Sequence, residues 1–172
     1  MIEIKRAYLE DLTTIQNISI ASFTETFSEI NTPENMEKYL QENFNTAQIT
    51  SEISNPDSIF YLAVWNNEPV GYLKVNLENA QTETINDETL EIQRIYVVKT
   101  FHGKKIGQSL LDQAIKIAQE YYVDYIWLGV WEENHNAIQF YTKNGFVTFD
   151  KHIFVLGDEQ QTDLLMKLPI KV

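Results

Sequence analysis

The chain has 172 residues, a length suited to one domain with a sizeable core, and a formal net charge of −12 from 25 acidic against 13 basic side chains. A balance this acidic, with no lysine or arginine cluster to offset it, disfavours direct contact with nucleic acid and favours cationic partners, although it also serves plain solubility. With no cysteine in the sequence, disulfides, thiolate metal sites and a cysteine nucleophile are excluded.

Ile2 and Ile4 alternate with charged residues, which predicts a short first strand, and the opening Met1-Ile-Glu-Ile-Lys-Arg lacks the apolar run of a signal peptide. No later stretch is long enough to span a bilayer, so a cytoplasmic protein without a membrane partner is expected. Asp11 is placed to cap a helix whose apolar face is Leu12, Ile15, Ile18, Ala21 and Phe23, and Thr24-Glu-Thr-Phe27 carries it towards a break near Asn31-Thr-Pro33. Pro33 suits the first position of a second helix, with Thr32 as its cap and Met36, Tyr39, Leu40 and Phe44 along one side. A third short helix is expected over residues 46–54, ended by Asn55-Pro56-Asp57. Residues 59–65 and 70–77 read as two strands joined by the hairpin turn Asn66-Asn-Glu-Pro69. The connection 78–88 is acidic and polar, and is expected to be a mobile loop.

Residues 90–111 read as a buried strand running into a helix. Leu90, Ile92, Ile95, Val97 and Val98 supply the strand, and Ile106, Leu110, Leu111, Ala114, Ile117 and Ala118 take up helical spacing within a helix expected over 104–121. Between them lies His102-Gly-Lys-Lys-Ile-Gly107. Two glycines and two lysines just before a helix can direct free backbone N–H groups and positive charge at an anion such as a pyrophosphate. The same pattern also fits a tight turn on a solvated surface. A strand over 124–131, a helix from about Asn134, a strand over 146–154, a turn at Gly157-Asp158 and a last strand over 162–168 complete the chain. No repeat, low-complexity tract or linker interrupts it, so the expectation is one α+β domain over residues 1–172 with a mixed sheet.

Taken by themselves, the polar residues leave alternatives open. Tyr141 sits at helical spacing from Ala137 and Ile138, as a core tyrosine would, and Asn134 suits a helix N-cap. Glu91 at a strand start fits a solvent-exposed acid as well as a functional one. His102, His135 and His152 lack metal-ligand spacing, and Ser19 and Ser109 lack a nucleophile turn, so neither a metal nor a covalent serine mechanism is expected.

The strand-turn-helix, together with Trp127-Leu-Gly-Val-Trp131, the run from Asn134 to Tyr141 and Gly145-Phe146, resembles the GNAT superfamily of N-acetyltransferases. Laid on that family's Gln/Arg-x-x-Gly-x-Gly/Ala loop, His102 takes the first place, Lys105 the first glycine place and Gly107 the last; only Gly107 matches. The resemblance implies a three-layer α/β/α fold around a twisted, mostly antiparallel mixed sheet, and acetyl-CoA as cosubstrate. It further implies that the backbone of Ile95, Tyr96 and Val97 pairs with the peptide-like pantetheine arm, while residues His102, Gly103, Lys104, Lys105, Ile106, Gly107 and Gln108 meet the diphosphate. Tyr141 corresponds to the tyrosine that faces the coenzyme sulfur and protonates the leaving thiolate, Asn134 and Lys143 become cofactor contacts with Asn136 as a further polar candidate, and Glu91 becomes the candidate base. Lysine at 105 adds a side chain and a charge where glycine would let the backbone approach the phosphates. A helical φ there would mean that the place never required glycine.

Outside the shared motifs, Ala21-Ser-Phe-Thr-Glu-Thr-Phe27, Pro33-Glu-Asn-Met36, Leu90-Glu-Ile92 and Gly157-Asp158-Glu-Gln-Gln-Thr-Asp163 resemble the PaiA type, which acetylates spermidine and spermine. The resemblance implies a small cationic amine as acceptor, with residues 25–42, rich in Glu and aromatic side chains, as a cleft wall that an ordinary amphipathic helix pair would also explain. A protein or peptide N-acetyltransferase, and an acetyl-CoA-binding regulator acting indirectly on transcription, stand as alternatives.

Overall fold

The computed structural model describes residues 1–170. Its strands are β1 Ile2–Arg6, β2 Ser58–Trp65, β3 Glu68–Asn76, β4 Thr89–Val97, β5 Tyr125–Trp131, β6 Val147–Leu156 and β7 Glu159–Pro169. The helices are α1 Leu12–Phe27, α2 Pro33–Asn43, α3 Thr46–Ser54, α4 Ile106–Glu120 and α5 His135–Lys143. The strands form one seven-stranded sheet in the order β1-β2-β3-β4-β5-β7-β6. Every neighbouring pair is antiparallel except β4 and β5. Among the described residues, no helix is long and apolar enough to cross a membrane.

Two cores follow from the alternation of side chains across the sheet. On one face, Leu73, Val75, Leu90, Ile92, Ile126 and Leu128 meet the stripe Ile106, Leu110, Leu111, Ala114 and Ile117 of α4, with Tyr141 and Phe146 beside it. On the other, Phe60, Leu62 and Tyr72 meet Ile15, Ile18 and Phe23 of α1, Met36 of α2 and Ile49 of α3. Each such aliphatic or aromatic side chain contributes ~1.5–3 kcal/mol by leaving water. The arrangement is the expected three-layer α/β/α fold with a mixed, mostly antiparallel sheet.

Local chemistry explains the element ends. Thr32 caps α2 by accepting from the Asn35 amide at 3.1 Å, with Pro33 in the first turn, and Asn45 caps α3 by accepting from Gln48 at 2.8 Å. Asp11 does not cap α1: its carboxylate turns back to accept from the Tyr8 amide at 2.9 Å, because a 3-10 turn over Leu9–Asp11 already leads into the helix. Asn66 and Asn67 both have positive φ, at 48° and 70°, as a two-residue hairpin that matches the twist of its strands requires. In β4, Lys74 pairs with Arg94 but Val75 pairs with Ile92, so Gln93 is the extra residue of a bulge and both Ile92 and Ile95 face α4.

The connection 78–88 is not the loose loop expected from its composition. Gln81 accepts from the Trp127 indole at 2.7 Å and the Thr89 hydroxyl at 2.8 Å, and Thr82 bonds to Glu91. The Glu83 carboxylate meets the His152 ring at 3.1 Å, and Asp87 accepts from the Tyr125 hydroxyl at 3.2 Å. The segment is a strap stitched across β4, β5 and β6. Gln81, Thr82, Glu83 and Asp87, which look like solvent-seeking residues in the sequence, have their partners on the sheet.

Candidate active site

The parallel pair β4 and β5 is joined at only three positions, Thr89 with Tyr125, Leu90 with Ile126 and Glu91 with Trp127. Beyond them the strands part. Residues 92 and 94–97 of β4 and 128–131 of β5 keep their outer partners but have none on the sides that face each other. The gap therefore exposes an edge of β4 that carries the backbone of Ile95, Tyr96 and Val97, and a peptide-like chain can add to such an edge as a strand would. The Val97 carbonyl already accepts from the His102 ring at 2.7 Å, so Nε2 of His102 carries a proton and the ring caps the strand end.

The chain then makes a 3-10 turn over Lys99–Phe101 and enters α4 through two residues of left-handed backbone, Gly103 at φ 82° and Lys105 at φ 64°. Alternating handedness of this kind turns successive N–H groups to one side, which makes an anion-binding concavity. Lys105 is not helical: it holds the conformation that glycine adopts freely, at ~1–2 kcal/mol for an L-residue. It offers no side-chain cap, and the first helical bond of the turn runs from the Ser109 amide to the Lys105 carbonyl at 3.2 Å. The amides of Ile106, Gly107 and Gln108 thus point into the concavity at the positive end of a four-turn helix. At Gly107 the nearest atom to an added β-carbon is in the Phe140 ring, 3.9 Å away, and at Gly103 there is none within 4 Å, so both backbones can be approached closely.

The remaining loop side chains divide. Lys104 lies over the Trp65 ring at 5.6 Å, while Gln108 donates to Asp112 and Asn144, both at 2.9 Å, and braces α4 against α5. Only the Gln108 backbone is left for a ligand. Lys143 is exposed in the last turn of α5. Asn134 is the N-cap of that helix and accepts from the Ala137 amide at 3.3 Å, and Asn136 is exposed.

Tyr141, on α5, is buried in the core on the α4 face of the sheet, edge-on to Phe140 at 5.3 Å and to Phe146 at 5.5 Å. Among the described residues its hydroxyl has no hydrogen-bond partner, and burial pushes its pKa above the ordinary tyrosine value. It is therefore an uncommitted O–H donor at neutral pH. Glu91, the candidate base, is placed differently. Its side chain is buried; Oε1 accepts from Asn76 Nδ2 at 3.0 Å and from the Thr82 amide at 2.9 Å, and Oε2 accepts from the Thr82 hydroxyl at 2.5 Å. A carboxylate so engaged fastens the strap at the head of the gap, and is not open to an incoming amine.

The face of the gap towards α1 and α2 carries groups that the motifs do not mark. Phe27 lies 5.5 Å from Trp131, and Phe23 stacks on Tyr39 at 4.2 Å, so aromatic side chains of α1 and α2 pack together and reach the end of β5. Glu25 of α1 accepts from the Lys99 amide at 3.1 Å. Deeper in, Arg94 makes a two-pronged pair with Glu52 at 2.6 and 3.1 Å, and Lys74 joins the same carboxylate at 3.3 Å. Burial, reinforced by the Arg94 charge, lowers the Lys74 pKa to about 8. At the rim, His152 lies between Glu83 at 3.1 Å and Asp163 at 3.9 Å. His152 and Asp163 face each other across β6 and β7, a pairing that no spacing in the sequence reveals. Among the described residues, no group of His, Asp or Glu could hold a metal ion.

Comparison with known proteins gives a consistent picture. The model of the acetyltransferase (GNAT) family matches residues 14–146. An uncharacterised N-acetyltransferase of Lactobacillus delbrueckii subsp. lactis is 40% identical over 158 residues, covering 92% of this chain and 91% of its own. The spermidine N(1)-acetyltransferase of Thermoplasma acidophilum is 28% identical over 153 residues, with 87% and 90% covered. The crystal structure of PaiA N-acetyltransferase from Thermoplasma acidophilum in complex with coenzyme A superposes with a TM-score of 0.80 at 26% identity, covering 98% of this chain and 99% of that one.

Proposed function

The chain belongs to the acetyltransferase (GNAT) family and is an acetyl-CoA-dependent N-acetyltransferase; on that premise we propose that its acceptor is a primary amine of a polyamine such as spermidine or spermine. The observation that carries the acceptor is the similarity, over 87% of the chain, to a spermidine acetyltransferase. The acidic balance of the chain and the aromatic wall at Phe27, Tyr39 and Trp131 suit an extended cation.

In this reading the free edge of β4 at Ile95, Tyr96 and Val97 takes the pantetheine arm, and the amides of residues 103–108, with the charges of Lys104 and Lys105, take the diphosphate. Lys143 and Asn134 flank the same groove from α5. Bound acetyl-CoA supplies a thioester carbonyl open to nucleophilic attack. An unprotonated amine would attack the thioester carbon, the C–S bond would break as the tetrahedral adduct collapses, the nitrogen would release its surplus proton to solvent, and Tyr141 would give a proton to the departing sulfur and be reprotonated from water. Its unpartnered hydroxyl, kept protonated at neutral pH by burial, is free to donate. Glu91 is assigned to hold the strap that bounds the acceptor side, in place of the base role first expected of it.

The test is an acceptor screen that follows free thiol released from acetyl-CoA with spermidine, spermine, lysine peptides and no acceptor. Spermidine and spermine are expected to exceed peptides in kcat/KM by at least tenfold. Peptides outpacing polyamines would move the acceptor to proteins, and cofactor binding without turnover of any amine would leave a ligand-sensing regulator.

A further inference from the structure

One side chain ties the open edge of β4 to the turn that enters α4. Backbone groups of a strand point alternately to its two sides, and the Val98 amide donates across to the Val70 carbonyl of β3 at 2.9 Å. Tyr96, two residues back and paired with Tyr72, turns its groups to the same side, so those of Ile95 and Val97 face the gap. Among them the Val97 carbonyl is already filled, because it accepts from His102 Nε2 at 2.7 Å. That bond needs a proton on Nε2 whether the ring is neutral or charged, so it holds in both states.

His102 is also the residue from which the anion-binding concavity starts. Its amide donates to the Lys99 carbonyl at 3.1 Å and closes the 3-10 turn over Lys99–Phe101, and Gly103 with its left-handed backbone follows directly. The amide and Nε2 are thus both committed inside the protein, which does not suit the diphosphate contact expected of His102 from its place in the loop. What the two bonds do is fix the start of the concavity relative to the last open residue of the edge. The other ties of the segment, from the Phe101 amide to the Val98 carbonyl at 2.9 Å and from the Lys99 amide to Glu25 at 3.1 Å, hold the turn itself and do not reach Val97. A 3-10 turn has poorer hydrogen-bond geometry than an α-helix, so the ring bond is the tie that sets the spacing.

We propose that His102 is a positioning residue for the cofactor: its ring sets the spacing between the β4 edge and the diphosphate concavity, so that the two parts of acetyl-CoA bind as one ligand. The proposal rests on the placing of the pantetheine arm and the diphosphate given above, and adds the element that joins them. A ligand with two linked anchors gains from the linkage only when the two sites stand at the distance that its own covalent chain dictates. The ring bond holds that distance in the free protein, so the ordering is not left to the binding step.

The test compares wild type, His102→Leu and His102→Gln by the dissociation constants of CoA, of ADP, which carries the diphosphate without the arm, and of pantetheine, which carries the arm without the diphosphate. His102→Leu is expected to weaken CoA by about five- to tenfold, the order of one lost hydrogen bond, and to change ADP and pantetheine by less than about twofold. His102→Gln, whose amide N–H can reach the same carbonyl, is expected to recover most of the loss. ADP weakened as much as CoA would make His102 a phosphate ligand, and equal losses for all the probes would make it a residue of general stability. Either result overturns the proposal, as does unchanged CoA binding in His102→Leu. Proton–nitrogen correlation spectra of the wild type give a reading that needs no substitution: Nε2 of His102 is expected to keep its proton and its bond when CoA is added. CoA that moves the amides of Ile95 and Val97 but breaks the Nε2 bond would remove the proposal alone. CoA that leaves those amides unmoved would remove the reading of the edge as well.

Discussion

Both oxygens of the Glu91 carboxylate are held by the single residue Thr82, Oε1 by its amide at 2.9 Å and Oε2 by its hydroxyl at 2.5 Å. The two are nine residues apart in the chain, and their pairing pins the strap over the point where β4 and β5 separate. The carboxylate thereby acts as an anchor, and the strap is fixed beside the gap.

Glu91→Gln separates the two roles. The glutamine NH2 cannot accept, so the Thr82 hydroxyl must turn and accept from it, and charge-assisted bonds to the strap become neutral ones; stability is expected to fall by about 1 kcal/mol, read as a lower urea midpoint. The acidic limb of the kcat/KM profile against pH is expected to persist. Its disappearance, with the urea midpoint unchanged, would return the base role to Glu91.

Tyr141→Phe removes a hydroxyl that has no protein partner among the described residues. Stability is expected to hold or improve slightly, since no hydrogen bond is lost with it. Single-turnover acetylation is expected to slow by roughly 10²-fold, the ordinary worth of a placed general acid, while KM for acetyl-CoA changes little. An unchanged rate of chemistry would take Tyr141 out of the proton path.

Lys105→Gly tests the departure from the family loop. Relief of the left-handed strain, ~1–2 kcal/mol, opposes the backbone entropy of a new glycine, ~0.5–1 kcal/mol, so thermal stability is expected to hold or rise slightly. Loss of the charge is expected to raise KM for acetyl-CoA at low salt, by an amount that shrinks as salt is added. A salt-independent change in KM would mean that the lysine charge does not act on the cofactor.

Lys74 carries a pH signature. Its pKa is lowered to about 8 in the folded protein by burial and by Arg94, against about 10.4 for an unperturbed lysine. Below pH 8 both folded and unfolded chains hold the proton, and the cost of burying the charge is fully present. Between 8 and about 10 the unfolded chain binds more protons than the folded one, so stability rises with pH, by an amount on the order of 2 kcal/mol. Above that window the effect reverses, because burial raises the pKa of Tyr72 and Tyr96 and the folded protein then holds protons that the unfolded chain releases. Urea midpoints measured from pH 7 to 10 are expected to climb in wild type and to stay flat in Lys74→Met. A climb retained in the variant would assign it elsewhere.

Much of the fold was legible because it rests on local signals. The stripe Ile106, Leu110, Leu111, Ala114 and Ile117 marks α4, Thr32-Pro33 marks the start of α2, and Asn66-Asn67 marks the hairpin. The turn into α4 was legible for the same reason, since Gly103, Lys105 and the first turn of α4 are consecutive. What failed to show was what depends on strand order. β7 lies between β5 and β6, which brings Asp163 over Gly129 and opposite His152, and nothing in the spacing of those residues announces it. The strap was misjudged by composition because Gln81, Thr82 and Glu83 resemble solvated residues until Trp127, Glu91 and His152 are seen beneath them.

The bulge at Gln93 sets how the chain can vary in length. Before it, Leu90 and Ile92 face α4; after it, Ile95 and Val97 do, so the extra residue resets the phase of the strand. Deleting Gln93 alone would restore simple alternation with Ile92, Ile95 and Val97 still towards α4 and Arg94 and Tyr96 still towards α1, so the aliphatic face does not need the extra residue. What would be lost is the Gln93 side chain, whose Oε1 accepts from the buried Lys74 ammonium at 2.5 Å and from Asn76 Nδ2 at 2.8 Å. A lineage that shortened the strand here would have to find those two buried donors another acceptor, and the identity of the bulged residue is constrained by them.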